Sequence, residues 1–144
     1  MNIFIDADAC PVVDITIDIA GRNGIPAVIV CDNSHFIERQ NIQTITVDKG
    51  ADSADIKIAN MIQKGDIVVT QDYGLAALVL GKNAKALNQN GLIFTNENID
   101  TLLYSRFVNK KIRLSGGRPK GPTKRTAEND ESFVKSLIKL LEET

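Results

Sequence analysis

Tryptophan is absent from this 144-residue sequence, histidine occurs once, cysteine twice, and aromatic residues make up only 5%. Each scarcity excludes something. Cys10 and Cys31 cannot build a disulfide scaffold, and with only His35 to join them they do not suit a zinc site. No apolar run approaches the roughly 20 residues of a membrane-spanning helix, so no membrane partner is expected. The start, Met1-Asn2-Ile3-Phe4-Ile5-Asp6, has no basic region and carries a carboxylate in its apolar stretch, which argues against a secretion signal and for a cytoplasmic protein. Gly21-Arg22-Asn23-Gly24 and Gly116-Gly117 lack the Gly-Lys-Ser/Thr of a phosphate-binding loop, so no nucleotide triphosphatase is indicated. With few aromatics, no dimer surface is legible and the oligomeric state stays open. What is present is ordinary for a globular domain: 43% apolar and 24% charged residues, in a length that suits one domain with a substantial core.

The net charge of −1 hides an uneven layout. Residues 1–105 carry 13 acids against 7 bases, residues 106–125 carry 8 bases and no acid, and residues 126–144 carry 5 acids against 2 bases. An acidic body beside a basic, Gly/Pro-broken segment implies two electrostatic tasks.

The first 80 residues alternate short apolar runs with helical patterns, which predicts βαβ units and a parallel sheet. Strands are expected at 2–5, 27–31, 43–47 and 67–70. A helix is expected from Pro11, which suits a first helical position, with Val13, Ile17 and Ala20 on one face. A second helix follows Asp52 or Ser53 as N-cap, and a short apolar one covers 75–80. Around Asn90-Gly91 a small hairpin or irregular edge strand is expected. Ile99, Leu102 and Leu103 share a helical face after an Asn96 cap. Phe133, Leu137, Leu140 and Leu141 mark a closing helix packed back on the body. The glycines and prolines between 116 and 122 predict irregular backbone in a basic loop over 113–125.

The acids follow the strands. Asp6 and Asp8 follow the first, Asp32 the second, Asp48 the third and Asp72 the fourth. In an open parallel sheet the strands end on one edge, where ligands bind at the point of strand-order reversal. Asp55 heads the stripe of Ile58, Ala59 and Ile62 that faces the sheet, which aims it at the same edge. Carboxylates converging on one crevice either raise their pKa values or bind a hard cation, and oxygen-only donors select Mg²⁺ or Mn²⁺. That chemistry serves phosphodiester hydrolysis, where two cations can clamp the attacking and leaving oxygens. Asp14, Asp18, Asp66 and Asp100 read instead as caps and turn formers, and Asp32 and Asp48 lean the same way. His35 reads as a surface histidine, and both cysteines as buried, inert thiols.

Four blocks then carry a family likeness: Phe4-Ile5-Asp6-Ala7-Asp8-Ala9-Cys10-Pro11, Asp52-Ser53-Ala54-Asp55, Thr70-Gln71-Asp72, and Gly116-Gly117-Arg118-Pro119-Lys120-Gly121-Pro122. Together, over nearly the whole chain, they resemble the YaiI/YqxD family of bacterial proteins. That family is similar in turn to PIN-like domains, metal-dependent ribonucleases with an acidic pocket. The resemblance implies one PIN-like domain over residues 1–144: a three-layer α/β fold with a mainly parallel sheet of about five strands and helices on both faces. Asp6, Asp55 and Asp72 match the acids that follow strand one, open the helix before strand four and follow strand four. They are the implied catalytic and metal-holding residues, with Asp8 in catalytic support and Asp52 in metal support. Asp8, Cys10 and the basic tail are not PIN features, and the glutamate usual before strand three has no clear counterpart.

Arg113, Arg118, Lys120, Lys124 and Arg125, expected on irregular backbone without a neighbouring acid, suit phosphate contacts to a nucleic acid, RNA before DNA. With only Phe107 nearby, base stacking is not indicated. The leading expectation is a Mg²⁺/Mn²⁺-dependent nuclease. The alternatives are a non-catalytic RNA- or nucleotide-binding module, and a haloacid-dehalogenase-type phosphatase with Asp6 as nucleophile, suggested by the Asp-x-Asp after a hydrophobic strand.

Overall fold

The computed structural model describes residues 1–8, 10–48, 53–114, 116 and 124–143. Five strands form one all-parallel sheet: β1 (Ile3–Asp6), β2 (Ala27–Asp32), β3 (Gln43–Val47), β4 (Ile67–Val69) and β5 (Lys85–Leu87), in the spatial order β3-β2-β1-β4-β5. The helices are α1 (Val13–Arg22), α2 (Ser53–Met61), α3 (Tyr73–Gly81), α4 (Asn96–Leu114) and α5 (Ala127–Glu142). The expected three-layer α/β architecture with helices on both faces is the one found.

The strand sequences explain the layers. β1, β2 and β4 (Ile-Phe-Ile-Asp, Ala-Val-Ile-Val-Cys-Asp, Ile-Val-Val) are near-continuous apolar runs, as strands covered on both faces must be. Alternation splits their side chains between two cores. Ile3, Ile5, Ile29, Ile67 and Val69 pack with Val13 and Ile19 of α1 and with Phe133, Leu137 and Leu140 of α5. Phe4, Val28, Val30 and Val68 face the other way, against Ile58 of α2, Leu75 and Val79 of α3 and Ile99 of α4. Among the described residues no helix is long and apolar enough to cross a membrane.

Several boundaries differ from expectation. α1 begins at Val13, not at Pro11, because the chain first makes a turn in which the Cys10 N–H donates to the Ala7 carbonyl at 3.1 Å. α4 is capped by Thr95 rather than Asn96: the Asn98 N–H donates to Thr95 Oγ1 (3.1 Å) and the Thr95 N–H to Asn98 Oδ1 (2.9 Å). α4 also runs on to Leu114, so Arg113 lies in a helix and not in a loop. Residues 104–114 contain no glycine or proline and are rich in helix formers, and the first breaker is Gly116 at φ +85°. Both expectations around Asn90-Gly91 hold in part, since β5 is one of the two edge strands and Leu87 makes a single antiparallel bridge to Ile93.

Gly91 shows why that turn docks α5. Its φ is +88°, and a Cβ there would lie 2.5 Å from the Ser132 carbonyl oxygen, while its own carbonyl accepts from Ser136 Oγ at 2.6 Å. Gly91→Ala therefore meets both a left-handed backbone and a rigid helix, and should lower stability by about 2–4 kcal/mol. Gly24→Ala, at φ +67° with open space around it, meets the strain alone and should cost about 1 kcal/mol. Urea midpoints check the pair, and equal losses would mean that the α5 contact is not tight.

Candidate functional site

The reversal of strand order lies between β1, whose connection leads to β2, and β4, whose connection leads to β5. The crevice at the carboxyl ends of these two strands is where such sheets bind ligands. Asp6 ends β1, and by alternation it shares a side with Phe4, toward α2 and α3. Thr70 follows β4 and bridges two segments. Its hydroxyl donates to Asp6 Oδ2 at 2.8 Å and accepts from the Asp72 N–H at 3.0 Å. Asp72 then caps α3, its Oδ1 accepting from the amides of Gly74 (2.8 Å) and Leu75 (3.2 Å). Thr70 thus fixes the backbone that carries one acid against the side chain of the other.

The electrostatics match that proximity. Burial pushes the Asp6 carboxyl above its ordinary range, the Thr70 hydroxyl offsets part of this, and the charges of Asp72 and Asp8 push it further up. Asp55 lies in the first turn of α2. Because α2 connects the carboxyl end of β3 to the amino end of β4, that turn sits at the same edge of the sheet. Asp52, Arg118 and Lys120 lie outside the described residues. Asp66 plays the structural part expected of it at the opposite edge, accepting from the Asn2 N–H (2.9 Å) and the Gln63 N–H (2.8 Å).

The raised Asp6 pKa has a consequence for the metal-free protein. A carboxyl whose folded pKa exceeds its unfolded value favours the folded state fully below the unfolded pKa, ordinarily 3.8, and that contribution is lost as pH rises through the folded value. Asp6→Asn removes the loss. In EDTA the variant should therefore melt above wild type at neutral pH, with the gap closing as the pH falls below the ordinary aspartate range. A gap that does not change with pH would assign the difference to something other than Asp6 ionisation.

Sequence reasoning left out two features. Asp8, Asp32 and His35 come together, with His35 Nδ1 3.0 Å from Asp32 Oδ1 and 3.6 Å from Asp8 Oδ1. The Ser34 hydroxyl, followed by His35, holds the Asp32 carboxyl below its ordinary range. The 33–42 connection that presents His35 is tied to α1 by Arg39, whose Nε donates to Asp14 Oδ1 at 2.6 Å. Only the position of His35 just past strand two hinted at this. Thr70 was the second omission, and the signal for it was its place in Thr70-Gln71-Asp72.

The basic segment also differs from expectation. Arg125 does have an acid beside it: its guanidinium donates to Asp130 and to the Gln89 carbonyl, because the capped start of α5 brings Asp130 alongside. It remains at the site's rim, where Cys10 senses both the Asp6 carboxylate and the Arg125 guanidinium, although burial dominates and pushes the thiol's pKa up. Lys124 is exposed.

Fold and site define a three-layer parallel α/β protein with Asp6 and Asp72 joined through Thr70 at its topological switch point. Comparison with known proteins gives the family. A family model described as "Uncharacterized BCR, YaiI/YqxD family" matches residues 4–143, and the chain belongs to that family. A UPF0178 protein of Ruminiclostridium cellulolyticum is 55% identical over 138 residues, covering 96% of this chain and 90% of that protein. Another, from Exiguobacterium sibiricum, is 52% identical over 143 residues, covering 99% and 98%. The crystal structure of Rae1 (YacP) from Bacillus subtilis (W164L mutant) superposes with a TM-score of 0.48 at 16% identity, over the full length of both chains.

Proposed function

We propose that this protein is a Mg²⁺- or Mn²⁺-dependent phosphodiesterase acting on RNA, with Asp6, Asp55 and Asp72 holding the cation and Asp8 in support. The observation that carries the reading is the Asp6–Thr70–Asp72 arrangement. A desolvated carboxylate stands at the switch point, tied through one hydroxyl to a second acid and destabilised by the charges of Asp72 and Asp8. Such a group gains from a divalent cation, and its all-oxygen donors fit Mg²⁺ or Mn²⁺ rather than zinc. When bound, the cation supplies polarisation of a phosphoryl oxygen and a more acidic water.

The protein's own residues do the rest. Thr70 ties the Asp6 carboxylate to the backbone N–H of Asp72. The Gly74 and Leu75 amides orient the Asp72 carboxylate by binding Oδ1. Asp8, exposed and close enough for its charge to raise the Asp6 pKa, would be the group that accepts a proton from water in this reading. The agreement of these positions with the acids implied by the PIN-like resemblance supports the same reading.

The test is incubation of end-labelled single-stranded RNA with the protein in Mn²⁺ and in EDTA. Cleavage that needs Mn²⁺ and tracks the protein peak is expected. No cleavage by correctly folded protein across Mg²⁺ and Mn²⁺ would shift the reading to a recognition module.

A further inference from the structure

α4 changes character halfway along. Its early turns pack beside α3 and enter the core through buried Ile99, with Leu102 and Leu103 partly buried against that core. At helical spacing the same stripe continues at positions 106, 110 and 113, where the sequence has arginine, lysine and arginine. Residues 104–114 hold four cations and no acid, in a chain whose first 105 residues are net acidic.

A different stripe carries Tyr104 and Phe107, three residues apart and therefore neighbours, 67% and 52% exposed. Lys111 Nζ stands 4.9 Å from the centroid of the Phe107 ring, so cation and ring share one patch. The scarcity of aromatics in the sequence concealed this pair, because only the extension of α4 places Tyr104 and Phe107 together on one surface.

Two exposed rings in an acid-free cationic stretch match one polymer in both respects. Single-stranded nucleic acid offers phosphates for the cations and open base faces for the rings, whereas a duplex keeps its base faces stacked inside. We infer that residues 104–114 form a single-strand platform, on which Tyr104 and Phe107 stack bases while Lys110 and Lys111 hold the adjoining phosphates. The platform would make the substrate single-stranded rather than duplex. The choice of RNA rests on the proposed function, and the stacking surface itself does not. The platform shares residues 106–114 with the basic segment, which ends at Arg125, whose charge reaches Cys10 beside Asp6.

The experiment uses a fluorescein-labelled 12-nucleotide RNA, alone and annealed to its complement, bound in EDTA so that no turnover enters. Anisotropy gives affinity, and tyrosine emission reports stacking, since Tyr104 and the partly buried Tyr73 are the only two tyrosines. The expected results are preference for the single strand, quenching of tyrosine emission on binding, and an affinity loss of roughly tenfold or more in Tyr104→Ala/Phe107→Ala. Tyr104→Phe should keep wild-type affinity and lose the quenching. Lys110→Gln/Lys111→Gln should flatten the salt dependence by about 1.4 in log–log slope.

Unchanged affinity in the double alanine variant overturns the proposal, as does equal binding of the duplex. So does binding of vesicles containing phosphatidylserine by a protein that ignores the RNA. The nuclease reading fails separately, through the comparison of Mn²⁺ with EDTA, so the two failures are distinguishable.

Discussion

Asp6→Asn and Asp72→Asn are each expected to cut Mn²⁺-dependent RNA cleavage by on the order of a hundredfold or more while leaving the protein folded. Both substitutions keep shape and remove charge. In Asp6→Asn the new amide oxygen can still accept from the Thr70 hydroxyl, so the 2.8 Å link across the crevice survives. In Asp72→Asn the α3 N-cap is retained, because asparagine and aspartate serve that position about equally. What each variant loses is one negative oxygen donor for the cation. Asp72→Ala is the contrasting case, since it also removes the cap and should cost about 1 kcal/mol of stability that Asp72→Asn does not. Rates with labelled RNA, read beside melting curves, separate the two effects. Wild-type turnover in either asparagine variant removes that acid from the mechanism.

Phe133→Ala is expected to have the largest effect on stability, a loss of about 3–5 kcal/mol. The ring is fully buried between α5 and the sheet, in one cluster with Leu137, Leu140 and the α1 side chains Val13 and Ile19. Domains of this kind are stable by only about 5–15 kcal/mol, so the substitution consumes a large part of the total. The effect should reach the site's rim. α5 holds Asp130 against Arg125, and Lys85 Nζ donates to the Leu140 carbonyl at 3.1 Å, so a loosened helix frees both ends of that attachment. Urea denaturation followed by circular dichroism measures the loss. A cost below about 1 kcal/mol would mean that α5 contributes little to the core.

Much of the architecture was legible because its causes are local. Ala27–Asp32 reads as a doubly covered strand from its unbroken apolar run, and the acids after successive strands read as one edge because a parallel sheet has only one carboxyl edge. Asp6 and Asp72 were legible for the same reason. The Asp8–Asp32–His35 group was not, because it depends on the path of the 33–42 connection and its Arg39 tether, contacts that carry no periodic signal. The length of α4 was obscured by charge. A run of bases next to glycines and prolines reads as loop, yet Arg and Lys are good helix formers and the breakers begin only at Gly116. The pairing of Arg125 with Asp130 was hidden by a different cause. An acid five residues ahead is a neighbour only if the chain turns into a helix between the two, as the cap at Thr126 makes it do.

The most direct test of the central claim is a calorimetric titration with Mn²⁺ of wild-type protein and of the Asp6→Asn/Asp72→Asn variant, after both have been shown to be folded. The account predicts saturable binding by the wild type and none by the variant. No binding by the folded wild type, or equal binding by both, would contradict a metal centre at this edge of the sheet.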